Sequence, residues 1–301
     1  PPFVPAAPTA GTSNPSPICS GQTLSLTAST IVGATSYAWT GPNAFASALQ
    51  NPTIAGATIA ASGTYSVTAT VAGCTGATGT VSITVNATPA TPTAGSNTPV
   101  CSGQTLSLTS NTVAGSTYNW SGPNSFSSTS EDPTIASVTT AASGTYTVTR
   151  TSAVGCVSAQ ATTAVTINQT PTAPTAGSNT PICSGQTLSL TASSTGTTYS
   201  WTGPNAFASA LEDPTIAAAT TAASGTYSVT ATTAGCTSTA GTTSVTVNPN
   251  PIAPTAGSNS PVCTGQTLSL TASTIAGATY SWTGPNSFSS ALEDPTIASV
   301  T

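Results

Sequence analysis

The chain has 301 residues, of which 110 are Ser or Thr and only seven are charged: Arg150 against six acids, with no Lys, His or Met. Without Lys there is no Schiff base, phosphate-loop lysine or Lys-Asn isopeptide staple, and without His no triad base or imidazole metal ligand. A net charge of −5 with one cation excludes neutralising a run of phosphates, hence nucleic-acid binding, and no stretch approaches the ~18 to 20 apolar residues of a membrane span.

The first four residues, Pro1 to Val4, carry neither an initiator Met nor a charged-then-apolar leader, which reads as a processed or cropped start. From there the pattern has period two, the mark of half-buried strands. Leu24, Leu26 and Ala28 alternate with Ser25 and Thr27, and Tyr37 and Trp39 share a face of the next strand. Gly41-Pro42-Asn43 predicts a turn, since Pro fixes φ and Asn tolerates the left-handed region. Two longer alternating runs follow, Thr64 to Thr70 and Thr80 to Val85, with a hairpin turn at Val71-Ala72-Gly73 between them. No helical period occurs.

The same text then recurs. Trp39, Trp120, Trp201 and Trp282 stand 81 residues apart, each opening Trp-Thr/Ser-Gly-Pro-Asn. Cys-Ser-Gly-Gln-Thr-Leu-Ser-Leu starts at Cys19, Cys101 and Cys183, with Thr for Ser after Cys263, and Ser-Gly-Thr-Tyr ends at Tyr65, Tyr146 and Tyr227. The expected organisation is all-β: tandem antiparallel two-sheet sandwiches of about 81 residues and about seven strands each, at 1–86, 87–168 and 169–248. A fourth repeat, 249–301, carries only the first strands, A to about D, and reads as cut from a longer array. The recurring Trp and Tyr are core candidates, as are Phe45, Phe126, Phe207 and Phe288. Phe3 alone among the aromatics is out of register, which leaves no aromatic platform for a glycan.

Gly21-Gln-Thr-Leu-Ser-Leu-Thr-Ala28, a Trp eleven residues on, and Ser62-Gly-Thr-Tyr-Ser-Val67 resemble strands B, C and F of immunoglobulin-like domains. The usual inter-sheet disulfide positions hold Ala28 and Val67 instead, while the tyrosine-corner residue, Tyr65, is kept. The Pro-Ile-Cys-Ser-Gly opening, the Trp-Thr-Gly-Pro-Asn turn, Ala-Ala-Ser-Gly-Thr-Tyr and a late Ala-Gly-Cys are similar to the tandem repeats of very large surface adhesins from gliding Bacteroidota that use type IX secretion. The resemblance spans the whole chain. It implies an elongated array at the cell surface, a stalk of an adhesin or filament for attachment or gliding, with no catalytic residues, cofactor or metal. Partners would be neighbouring repeats and other copies in a fibre; the surface ligand stays open.

Seven Cys at near-constant spacing in a hydroxyl-rich chain imply an oxidising, extracellular setting and disulfides. Pairing within repeats would join Cys19 to Cys74, Cys101 to Cys156 and Cys183 to Cys236. In an immunoglobulin-like sandwich, however, the A-B and F-G turns lie at opposite ends, roughly 30 Å apart at ~3.3 Å per residue, whereas a disulfide needs Cα atoms within about 7 Å. Bonds between neighbours are therefore favoured: Cys19 with Cys156, Cys101 with Cys236, and Cys74, Cys183 and Cys263 with repeats outside the chain. Pairs within repeats and free thiols remain the alternatives. The short Pro-rich linkers after Asn86, Asn168 and Asn248 favour semi-rigid spacing.

Glu131-Asp132-Pro133, Glu212-Asp213-Pro214 and Glu293-Asp294-Pro295 are the only acids, and repeat one has Gln50-Asn51-Pro52 in their place. Adjacent side chains on an extended segment point apart, so the pair cannot act as general acid and base. A calcium site needs six to eight oxygens, so a turn acid beside Pro is the favoured role. Two rival functions are loop-mediated glycan or protein binding, against which the near-identical loops count, and accessory repeats of a secreted polysaccharide-degrading enzyme.

Overall fold

The computed structural model describes residues 4–194 and 196–301; Phe3 lies outside them. Its first repeat holds ten short strands: β1 (Ala10–Thr12), β2 (Ile18–Cys19), β3 (Leu24–Ala28), β4 (Ala34–Gly41), β5 (Phe45–Ser47), β6 (Thr53–Ile54), β7 (Gly63–Val71), β8 (Cys74–Thr75), β9 (Gly79–Ile83) and β10 (Val85–Asn86). One sheet runs β1-β3-β6; the other runs β5-β4-β7, with β8 and β9 both against β7. This is an immunoglobulin-like sandwich with strands A, B and E facing C′, C, F and G, and the repeats starting near Ala94 and Thr175 share its strand order. Among the described residues the only helical elements are single 3₁₀ turns such as Ile59–Ala61.

Two strands differ from the expected single runs. Strand A breaks after β1, crosses to the other sheet, and resumes as β2 in parallel with β10. Pro15 and Pro17, lacking an N–H, cannot extend the β1 ladder. Strand G carries a bulge: Thr75 pairs with Thr70, but Gly79 rather than Thr78 pairs with Val67. At Gly79 the entering chain comes so close that a Cβ would stand 1.8 Å from the Pro8 carbonyl oxygen.

The alternation in β3 buries Leu24, Leu26 and Ala28 and leaves Ser25 and Thr27 half-exposed. Each complete repeat closes on its own core: Leu24, Trp39, Tyr65 and Val67 in the first, Leu106, Trp120, Tyr146 and Val148 in the second, and Leu188, Trp201, Tyr227 and Val229 in the third. Burial of each large apolar side chain in these cores contributes about 1.5–3 kcal/mol. Ala28 and Val67 fill the space an inter-sheet disulfide would take. Phe45, Phe126 and Phe207 are half-buried and meet Tyr65, Tyr146 and Tyr227 edge-on at 5.5, 5.5 and 5.4 Å.

Each of those tyrosines closes a corner. Its hydroxyl donates at 2.9 Å to the carbonyl four residues upstream, at Ala61, Ala142 and Ala223. Burial raises all three phenol pKa values.

The core assignment of Trp282 is corrected. It stands half-exposed, as does Tyr280, and its strand Trp282–Gly284 pairs only with Phe288–Ser290. In the complete repeats the Trp-bearing strand is covered by the strand ending Ser-Gly-Thr-Tyr-Ser/Thr-Val, which has no counterpart in 249–301. The chain divides into two compact units, Pro1–Thr170 and Pro171–Thr301. The first holds two complete sandwiches, the second one complete and one partial.

Candidate functional site: the joint between repeats

Within the first unit the two sandwiches are joined at a small set of residues. Cys19 ends β2, where Cys19-Ser20-Gly21-Gln22 forms a tight turn closed by Gln22 N–H to Cys19 O at 3.1 Å, with Gly21 at φ +92°. The Gln22 side chain returns to accept the Cys19 N–H at 2.9 Å, fixing the cysteine backbone from both sides. Gln104 and Gln186 do the same for Cys101 and Cys183. Cys156 is presented from the second repeat by the loop Ser152–Gly155, closed by Gly155 N–H to Ser152 O at 2.8 Å.

Cys19 and Cys156 form a disulfide with their Cα atoms 5.7 Å apart, across 137 residues of sequence. Cys156 is fully buried. Beside the bond, a Cβ on Gly155 would come within 3.2 Å of the Pro17 ring, so the loop of one repeat rests on the proline that precedes the other repeat's cysteine. Cys101 and Cys236 do not stand free either. Cys74, half-buried, and Cys183 and Cys263, exposed, are free thiols.

The linker is tied down at its start. Thr88 Oγ1 donates to Ser20 O at 2.7 Å, Thr170 Oγ1 to Ser102 O at 2.8 Å, and Asn250 Nδ2 to Ser184 O at 2.9 Å, so each linker is pinned to the turn that carries the cysteine. These ties escaped sequence reasoning, although a polar side chain two residues after Asn86, Asn168 and Asn248 is the signal. Between the first two repeats there is one more: Arg150, 4% exposed, donates from Nη2 to Ala90 O at 2.6 Å. Its Nε and Nη1 have no partner, and among the described residues no carboxylate pairs with it.

The acids hold strands rather than chemistry. Asp132, Asp213 and Asp294 accept through Oδ1 from the N–H of Ser110, Ala192 and Ala272 at 2.8, 3.0 and 3.0 Å; Asn51 does the same for Ala28 at 3.0 Å. The preceding residue gives its backbone carbonyl to the tryptophan: Trp39, Trp120, Trp201 and Trp282 donate from Nε1 to Gln50, Glu131, Glu212 and Glu293 at 3.1, 3.0, 3.1 and 3.2 Å. The side chains of Glu131 and Glu293 take a Thr hydroxyl, from Thr112 and Thr274, and that of Glu212 takes the Tyr199 hydroxyl. Each tripeptide therefore clips the end of the strand that precedes the Trp strand, Leu24–Ala28 in the first repeat, to the Trp strand itself. Among the described residues no three Cys, Asp or Glu side chains gather, and no helix is long and apolar enough to cross a membrane.

No family model matches the chain, and no curated protein matches it. Among solved structures, an I-band fragment of titin is similar at 12% identity, covering 82% of this chain and 97% of its own, with a TM-score of 0.43. The three N-terminal domains of the bacteriophage RB49 highly immunogenic outer capsid protein match at 15% identity over 83% and 100%, with a TM-score of 0.33. The full ectodomain of mouse nectin-like molecule 4 matches at 13% over 77% and 96%, with a TM-score of 0.35. The fold rests on the strand order and cores described above.

Proposed function

We propose that this chain is the stalk of an extracellular filament or cell-surface adhesin, a non-enzymatic run of repeats at 1–86, 87–168, 169–248 and 249–301 that holds something away from the cell for attachment or gliding. The observation that carries the reading is the Cys19–Cys156 bond, which joins two sandwiches that each have a complete core of their own. A disulfide between independent cores contributes little to either fold; what it restrains is the hinge. The Thr88 tie acts on the same hinge, and Thr170 and Asn250 make the corresponding ties at the starts of the two later linkers. The resemblance to repeats of type IX-secreted adhesins of gliding Bacteroidota supports the cellular setting. On this reading the ladder continues with Cys101 to Cys236, and with Cys74, Cys183 and Cys263 bonded to flanking repeats.

The test is a non-reducing peptide map with electron microscopy of the same sample. Linked peptides holding Cys19 with Cys156 and Cys101 with Cys236, in rods that bend on reduction, are the expected result. Peptides joining Cys19 to Cys74, or particles equally flexible before and after reduction, overturn it.

A further inference from the structure

The repeat at 249–301 leaves the inner face of its sandwich open. Leu268 and Leu270 are half-buried, where their counterparts Leu24, Leu26, Leu188 and Leu190 are fully buried. Two hollows lie on this face. One, of about 600 Å³, is lined by residues that include Ile252, Ala272, Ile275, Tyr280 and Trp282. The other, of about 390 Å³, is lined by residues that include Leu268, Pro285, Phe288, Ile297 and Val300. Between them runs the strand Trp282–Gly284, which has a ladder partner on one side only, Phe288–Ser290.

The three complete repeats show what fills the same place. There the Trp strand pairs antiparallel with Gly63–Val71, Gly144–Thr151 or Gly225–Thr233, and always in one register: Trp39, Trp120 and Trp201 stand opposite Val67, Val148 and Val229. Two residues along, Tyr37 and Tyr199 stand opposite Ala69 and Ala231. In the other direction the ring of Tyr65, Tyr146 or Tyr227 lies against Gly41, Gly122 or Gly203 and edge-on to Phe45, Phe126 or Phe207. Carried over to 249–301, that register sets a Tyr between Gly284 and Phe288, in the smaller hollow, and a Val and an Ala over Trp282 and Tyr280, in the larger. Gly284 gives an independent sign of the same occupant. A Cβ at Gly41, Gly122 or Gly203 would run into the Tyr ring, whereas at Gly284 it would meet nothing nearer than Phe288 Cδ1 at 3.4 Å. The φ of Gly284 is −160°, extended backbone that any residue adopts. Among the described residues of 249–301 nothing requires a glycine here; a tyrosine ring laid against it does.

We infer that the Trp282 face of 249–301 is an acceptor site for a β-strand, taking up as a separate peptide an extended Gly-Thr-Tyr-Ser/Thr-Val segment that adds antiparallel to Trp282–Gly284. The three segments of this sequence within the chain are already paired in their own repeats, so the strand comes from outside residues 1–301. In this mode of recognition the ladder bonds supply affinity and the pockets for alternate side chains supply specificity. Here those pockets are the Tyr socket at Gly284 and the apolar hollow at Trp282. The inference concerns one face of one repeat and does not rest on the stalk reading or on any cross-repeat disulfide.

The test is fluorescence anisotropy of a labelled synthetic peptide with the sequence of 220–248, carrying Cys236→Ser, titrated with the 301-residue chain. Saturable binding with a dissociation constant no weaker than about 0.1 mM is expected. Amide exchange should slow across 279–283, the counterpart of the paired residues 198–202. Two changes on opposite sides of the socket should each weaken binding at least about tenfold: Tyr227→Ala in the peptide and Gly284→Ala in the chain. The latter fits the free repeat without a clash and should leave its circular dichroism unchanged. No binding up to about 1 mM peptide overturns the inference, as do variants that bind like their parents. A face already filled by a second copy of the chain, seen as a dimer that the peptide does not dissociate, overturns it too.

Discussion

Gly122 lies directly against the ring of Tyr146: a Cβ added there would stand 2.4 Å from the ring carbon Cδ1. The same contact joins Gly41 to Tyr65 and Gly203 to Tyr227, at 2.3 and 2.4 Å. The glycine of Trp-Thr/Ser-Gly-Pro-Asn therefore gives the corner tyrosine its space, while the turn itself is made by the left-handed Asn and the residue after it, φ 54° and 57° at Asn124 and Ser125. Because the ring is fully buried and bonded through its hydroxyl, it cannot swing aside. Gly203→Ala should destabilise the third repeat by about 1–3 kcal/mol, read as a lowered thermal midpoint. An unchanged midpoint would show that the ring has room to move.

The tripeptide clip separates a structural role from a metal role. Asp213→Ala strands the Ala192 N–H and should cost about 1–3 kcal/mol. Asp213→Asn should be nearly neutral, because Asn51 already makes this bond in the first repeat. Neither chelator nor added calcium should shift the parent's midpoint; a clear calcium-dependent rise would reinstate a cation site.

Alkaline pH tests the tyrosine corners. Burial raises the folded-state pKa of Tyr65, Tyr146 and Tyr227 above the ordinary value near 10. Between the unfolded and folded values the unfolded chain has released protons that the native state keeps, so stability falls as pH rises. It should therefore be flat in this respect below about pH 9 and decline above about pH 10. Tyr227→Phe should be less stable at neutral pH, having lost the bond to Ala223 O, yet show a shallower alkaline decline. Denaturant midpoints across pH measure both slopes.

Arg150 occupies the place of Ala69 and Ala231, opposite Tyr118 as they are opposite Tyr37 and Tyr199. A buried guanidinium with two nitrogens unpartnered loses hydration that one bond to Ala90 O does not replace. Arg150→Ala should leave the second repeat as stable or more stable, by up to about 1–2 kcal/mol, while raising amide exchange in the linker near Ala90. Loss of stability would mean that the tie to the linker outweighs the desolvation.

Removing the joint disulfide should act on the linker and spare the cores. Cys19→Ser/Cys156→Ser removes the covalent tie and leaves the buried contacts of both cores in place. Elastase, which cuts after small residues, should then cleave 87–93 at least about tenfold faster, with both sandwiches intact afterwards. Equal cleavage rates would show that Thr88 and Arg150 alone hold the linker.

Much of the sandwich was legible from local pattern. Period-two alternation in Leu24–Ala28 and Gly63–Val71 named the strands and their inward faces, because side-chain direction along a strand is fixed by the backbone alone. The turns at Gly41-Pro42-Asn43 and Ala72-Gly73 were equally local, the latter two residues both having positive φ. The crossing of strand A and the bulge before Gly79 were not. The first depends on which sheet has an open place for Ile18 and Cys19, the second on where the entering Pro8 carbonyl lies.

The site divides in the same way. Recurrence singled out the Cys, the Trp and the Glu-Asp-Pro tripeptides, since an 81-residue period is visible without coordinates. It could not say that Gln22 grips the Cys19 N–H, that Glu131 serves Trp120 through its backbone, or that Trp282 stands half-exposed. By itself the sequence determined a charge-poor string of like β units, because composition and period are properties of the chain. The sequence favoured Cys19 with Cys156 among pairings it left open; only the tertiary structure decided between them, and decided which Leu faces water, because those depend on distances between segments far apart in the chain, 137 residues in the case of Cys19 and Cys156. No local rule carries that information; packing does.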